Sequence, residues 1–305
     1  MFYPTLKRAV AGCLLLSLFF HQPVTAAEDV PLSLYKQAAE AYQRTYSTSA
    51  DRKENLDKAE QLCEKGIALL PQTNILLQGF YLLWSEVKDS KDDLPSAEKL
   101  QHKAEVLARQ VQGTQSVPYA LALNYRARLY CERLKFNPAI ATASQAEEIL
   151  AREVIGKHDE RLREGYDDCL RWEMIGFAGL GKEQEALSTI KKFLQTKNLN
   201  PTEVTLNMQL AASYAQVGES AYRYGKQDDA RAFFEKAIAL YHQLQSKSDP
   251  GDVPVGTRVL RAPAIPVCGG MLRLAEIYIK SGKVEEGEKL KKEGNDWLDY
   301  KKRGL

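Results

Sequence analysis

Apolar residues recur every three to four positions through nearly every segment of the chain outside residues 246–270, the spacing of helices that bury one face. Three stretches carry the same local signature. Tyr224-Gly225-Lys226-Gln227-Asp228-Asp229-Ala230 leads into Phe233, Phe234, Ala237 and Ile238; Leu180-Gly181-Lys182-Glu183-Gln184-Glu185-Ala186 leads into Ile190 and Phe193; Ser281-Gly282-Lys283-Val284-Glu285-Glu286-Gly287 leads into Leu290 and Gly294. In each, a glycine stands five residues before a small residue. Glycine there ends one helix in the left-handed backbone, and the small residue lets the next helix pack closely on it. Looser copies begin at Leu56–Ala59, Pro95–Ala97 and Asn137–Ala139. No run alternates apolar and polar residues with turn punctuation, so strand content is expected near nil. The pattern predicts an all-α chain of about six antiparallel helix pairs, each burying its apolar face on the next.

On these residues the chain resembles the tetratricopeptide repeat (TPR) family. Ala59, Gly66 and Pro71 fit its second-helix spacing. Tyr214, Val217, Gly218, Gly225, Ala230, Phe234 and Ala237 fit most of one repeat, and Met271, Leu274, Ala275, Tyr278, Gly282 and Gly287 much of another. The resemblance spans about residues 30–298 and implies an alpha-alpha superhelix whose first helices line a concave surface. The anchors at 59, 97, 139, 186, 230 and 287 lie 38, 42, 47, 44 and 57 residues apart. The family's usual period is about 34, so longer helices or loops are expected here.

Residues 246–270 carry Pro250, Pro254, Pro263 and Pro266 among four glycines, and the sequence reads as one long loop before the last repeat. Its Arg258 and Arg261, flanked by Val and Leu, are candidates for packing on a neighbouring surface. Residues 285–300 are expected to cap the array: Lys289, Lys291, Lys292, Glu293, Asn295 and Asp296 are polar, while Leu290, Trp297 and Leu298 form an inward stripe.

At the other end, Lys7 and Arg8 precede a twelve-residue apolar run from Ala9 to Phe20, and Val24-Thr25-Ala26 offers a small-residue cleavage site. This is the order of a secretory signal peptide; the run is too short to span a bilayer, which takes about 20 residues. Residues 1–26 are therefore expected to be removed, leaving a single TPR-like domain over 27–300 in the periplasm or outside the cell. Without them, 40 basic residues balance 40 acidic ones, which gives no electrostatic footprint for nucleic acid.

The sequence offers little catalytic chemistry. His102, His158 and His242 have no histidine or cysteine at ligand spacing, and no metal site or cofactor is expected. Cys63, Cys131, Cys169 and Cys268 are read as buried free thiols, since the repeat geometry separates Cys131 and Cys169 by roughly 13 Å and a disulfide needs about 7 Å or less. Cys268, placed just ahead of a helix, is the one candidate for a reactive thiol.

The reading that results is a non-enzymatic scaffold of the cell envelope that binds a peptide or protein partner on its concave side. The groove offsets of the third and fourth repeats fall on Asn124, Arg128, Asp168 and Arg171, residues able to bond a peptide backbone or hold a carboxylate. The same offsets in the last two repeats give Ala212, Ala215 and Leu272, with Glu219 and Glu276 as polar exceptions. The alternatives are an enzyme or redox protein using the 246–270 loop with Cys268, and a structural subunit of an envelope complex.

Overall fold

The computed structural model describes residues 29–45, 51–154, 159–247 and 258–302. Twelve helices, and no strand, occur among them. In chain order they are α1 (Asp29–Arg44), α2 (Arg52–Ala68), α3 (Leu76–Ser90), α4 (Leu94–Gln112), α5 (Val117–Glu132), α6 (Phe136–Val154), α7 (Glu160–Gly179), α8 (Glu183–Thr196), α9 (Glu203–Arg223), α10 (Gln227–Lys247), α11 (Arg258–Lys280) and α12 (Val284–Lys302). The expected signal peptide lies outside the described residues. Among the described residues, no helix is long and apolar enough to cross a membrane.

Consecutive helices form six pairs, and five pairs are joined by one and the same turn. Its central residue has positive φ: Asp92 (60°), Leu134 (58°), Gly181 (71°), Gly225 (71°) and Gly282 (86°). The next residue's N–H returns to a first-helix carbonyl five positions earlier: Asp93 to Lys88, Lys135 to Tyr130, Lys182 to Phe177, Lys226 to Ala221 and Lys283 to Tyr278, at 2.8–3.0 Å. Such bonds satisfy the carbonyls that a helix end leaves orphaned. Four residues further on, Ala97, Ala139, Ala186, Ala230 and Gly287 each donate back to that same residue and open the second helix. All five of these anchors are buried, as is Ala59 in the first pair. The small-residue spacing read from the sequence is therefore a packing requirement.

The long period comes from long helices. Helices α9 and α10 take 21 residues each, which together exceed one standard repeat.

The chain divides into two compact units: Phe2–Arg126 with Gln145–Tyr166, and Ala127–Ser144 with Asp167–Leu305. The first is centred on α3, where twelve of fifteen residues are buried. Phe80 is fully buried there, meets Tyr35 edge-on at 5.2 Å between ring centroids, and lies directly over Gly66, where a Cβ would meet its ring at 2.1 Å. The second unit repeats the device. Phe234 of α10 fills the space over Gly218 of α9 and Gly270 of α11.

The 246–270 loop reading needs correction. Helix α10 continues to Lys247 and α11 begins at Arg258, with Pro263 and Pro266 inside it; residues 248–257 lie outside the described residues. A proline within a helix removes a backbone bond and costs about 3 kcal/mol. Here Ala264, Val267, Cys268, Met271, Leu274 and Ala275 form a buried stripe against α9 and α10, and that burial offsets the loss. At the C-terminus, Lys289, Lys291, Lys292, Asn295 and Asp296 of α12 are exposed, and Leu290 and Glu293 are half-buried. Trp297 is half-buried too, so its ring is not the fully enclosed plug that a cap would need.

Candidate functional site

The fold encloses two of the four groove candidates and leaves the other two half-buried. Asn124 on α5 is 6% exposed and donates its side-chain N–H to the Gly165 carbonyl at 3.4 Å. It belongs to a set of amides that pin helices together in the first unit: Gln78 donates to the Pro118 carbonyl at 2.6 Å and Gln101 to the Ala122 carbonyl at 2.8 Å. Arg128 is also only 6% exposed. Asp168 and Arg171 pair with each other at 2.7 Å, and the Arg171 guanidinium lies 5.9 Å from the Phe193 ring centroid. Asn124 and Arg128 are thus enclosed, while Asp168 and Arg171 keep side chains 29% and 23% exposed and are partly engaged with each other. The offsets placed these residues on the first helices correctly but could not register which positions neighbouring helices cover.

The other sequence candidates also move. Arg258 and Arg261 lie in the first two turns of α11, not in a loop. Cys268 lies well inside α11 and is fully buried; loss of solvent, with the charge of Glu293 added, pushes its thiol up to about 12. That is the opposite of the depressed value that marks a nucleophilic thiolate. Cys63, Cys131 and Cys169 are buried as well, and all four thiols are free. Burial also raises Cys63 and Cys131. Among the described residues, no group of three or more potential metal ligands comes together.

A second constellation also reaches solvent. Eleven residues before each anchor, the first helices carry Glu86, Arg128, Ile175, Glu219 and Glu276 in pairs two to six. The first three are 4%, 6% and 3% exposed. The side chains of Glu219 and Glu276 are 39% and 45% exposed. Helices α9 and α11 pack side by side in the second unit, and Arg273 bridges between them. Its Nε donates to Glu219 Oε2 at 3.2 Å and its Nη2 to Glu219 Oε1 at 3.5 Å; a third donor, Nη1, lies 3.5 Å from Glu276 Oε2. The guanidinium stands 4.9 Å from the Tyr222 ring centroid, and Tyr222 donates its hydroxyl to Glu276 Oε2 at 2.9 Å.

The electrostatics are self-consistent. Burial works against the Arg273 charge, but Glu219 and Glu276 outweigh it and hold the guanidinium above its ordinary value. The hydrogen bond to Glu276, helped by burial, raises the Tyr222 hydroxyl. Glu276 keeps Oε1 free of hydrogen bonds among the described residues. The set of four therefore carries one net negative charge and a spare acceptor. The repeat spacing marks Glu219 and Glu276 as polar exceptions but not Arg273 and Tyr222, since a partnership across two helices leaves no mark in the linear sequence.

The turn that joins five of the six pairs decides the architecture. It is a TPR-like helical repeat fold. No family model matches the chain, and no curated protein matches it by sequence. Among solved structures it is similar to a Rap protein complexed with competence and sporulation factor (18% identity, TM-score 0.49, covering 97% of this chain and 74% of that one). It is also similar to a kinesin light chain from Podosopora anserina with nearly identical TPR-like repeats (16% identity, TM-score 0.46, covering 71% and 99%). A third is BtubC from P. vanneervenii (17% identity, TM-score 0.39, covering 77% and 98%).

Proposed function

We propose that this TPR-like chain is a non-enzymatic protein-binding scaffold of the cell envelope, engaging a peptide or protein partner through its first helices. The observation that carries the reading is the half-exposed Glu219–Tyr222–Arg273–Glu276 set on α9 and α11, whose two glutamates stand at a register position that pairs two to four bury. A polar set held rigid by two packed helices is pre-organised for recognition, so a partner pays little to order it. The enzyme alternative loses its main support with the raised thiol and deep burial of Cys268. The envelope assignment rests on the charge–apolar–small order of residues 1–26.

Site-specific photo-cross-linking tests the surface. A photoreactive residue at Ser220 or Gly269, on the first helices, is expected to capture a defined partner in cells that export the protein. The same residue at Asp229 or Lys289, on exposed second-helix positions, is expected to capture much less. Equal capture from both sets, or capture from the second helices alone, would reject first-helix binding. Recovery of the protein with Met1 intact would reject export by signal cleavage.

A further inference from the structure

The half-exposed face of α11 has a feature that the polar set alone does not explain. Pro266, Gly269, Arg273 and Glu276 fall at spacings of three, four and three residues, so they share one side of the helix. Pro266 is half-buried; Gly269 is exposed, and a Cβ there would meet nothing within 4 Å. For about one helical turn ahead of Arg273 this face is bare backbone, with open space above it. The strip thus sets open backbone at Gly269 next to the Glu276 carboxylate with its spare Oε1, with Glu219 of α9 beside it.

Resting on the scaffold reading above, we infer that this strip docks a basic peptide segment of a protein partner, its backbone lying over Gly269 and a Lys or Arg side chain meeting Glu276 and Glu219. The chemistry selects that occupant. The two carboxylates outnumber the single guanidinium that bridges them, so an added cation completes the charge balance, while an acidic or phosphorylated segment meets repulsion. A peptide can approach closely only where the helix carries no side chain, and Gly269 supplies that gap. A cationic donor adding to the free oxygen of Glu276 also forms the stronger, charge-assisted kind of hydrogen bond.

A random dodecapeptide library panned on the full chain tests this, with the Glu219→Gln/Glu276→Gln double variant panned in parallel. Peptides recovered on the unaltered protein are expected to be enriched in Lys and Arg, and that enrichment is expected to vanish on the variant. A recovered basic peptide should bind the double variant roughly tenfold or more weakly. It should also bind Gly269→Leu at least tenfold more weakly, although that substitution leaves the thermal midpoint unchanged or raises it, because glycine is a poor residue for a helix interior. Acidic or purely apolar peptides, or basic peptides that bind all three proteins alike, would overturn the strip. If cross-linking from Ser220 still captures a partner while these variants change nothing, the scaffold reading stands and this docking strip falls.

Discussion

The same register position has opposite fates in two regions of the molecule. Eleven residues ahead of the anchor, Glu86 in pair two is closed in and accepts a hydrogen bond from Tyr42 of α1 at 3.3 Å. In pairs five and six the same position holds Glu219 and Glu276, which reach solvent and share Arg273. A repeat fixes where a residue sits on its own helix. Burial is decided by what packs over it, and an ionic group in the two places does different work: enclosed, it holds helices together; exposed, it is available to a partner.

The broadest way to break this comparison is to ask whether the two regions share the same packing device. Phe80→Ala and Phe234→Ala each remove a fully buried ring that lies over a glycine, and each is expected to cost roughly 3–5 kcal/mol in urea denaturation. A loss below about 1 kcal/mol in either would mean that the repeat interface is not conserved along the chain.

Arginine removal sharpens the contrast between enclosed and exposed. Arg128→Ala strips a buried cation and is expected to destabilise by roughly 1–3 kcal/mol. Arg273→Ala removes a side chain 26% exposed and should cost under about 1 kcal/mol. Equal losses would erase the distinction. The first outcome also means that an Arg128 variant that loses a partner has lost stability as well.

Acid titration addresses the first unit alone. Burial pushes the Glu60 carboxyl up, but hydrogen bonds from Lys88, Lys91 and Trp84 outweigh it and hold it at about 2. Both lysines approach at 2.5 Å, and Trp84 donates at 3.1 Å. A folded value below the unfolded 4.5 gives stability that is complete above about pH 4.5 and is lost as pH falls toward 2. Allowing for partial solvation, that loss is roughly 1–2 kcal/mol. Glu60→Gln should flatten the slope; an unchanged slope would show that the network does not govern acid stability.

The turns give the smallest effects. Gly181→Ala and Gly225→Ala force a Cβ into left-handed backbone and should each cost about 1 kcal/mol. Asp92→Gly relieves the same strain and should gain up to about 1 kcal/mol, less the added freedom of the unfolded chain. A gain in the glycine-to-alanine variants would contradict the shared turn.

These turns also show why the sequence was legible in some places and opaque in others. The later pairs declared themselves because glycine occupies the left-handed position at 181, 225 and 282. In pairs two and three the same position holds Asp92 and Leu134, so the five-residue offset to Ala97 and Ala139 was present but unmarked. Leu134 repays its backbone cost by packing against the cluster of Cys131, Ala139, Ile175 and Val217. The helical fold and its anchors could be read because close packing demands small residues at fixed spacing. The expected 246–270 loop gives way to helix over 258–270 because prolines and glycines signal a break locally, while the buried stripe of α11 decides the matter through contacts far away in sequence. The site was half legible: the offsets found Glu219 and Glu276, but only the packing of α9 on α11 brings Arg273 and Tyr222 to them.

Thiol labelling of placed cysteines tests the contrast between enclosed and exposed positions most directly. In the chain without residues 1–26, which carry Cys13, the remaining cysteines at 63, 131, 169 and 268 are buried and supply a silent background. Single Ile175→Cys, Glu219→Cys and Glu276→Cys variants, treated with a chromogenic disulfide under native conditions, should separate cleanly. Cysteines at 219 and 276 should label near the rate of a free thiol, and the cysteine at 175 only at the rate of unfolding. Rapid labelling at 175, or protection at 219 and 276 equal to that of the native thiols, would contradict the assignment of the exposed surface to α9 and α11.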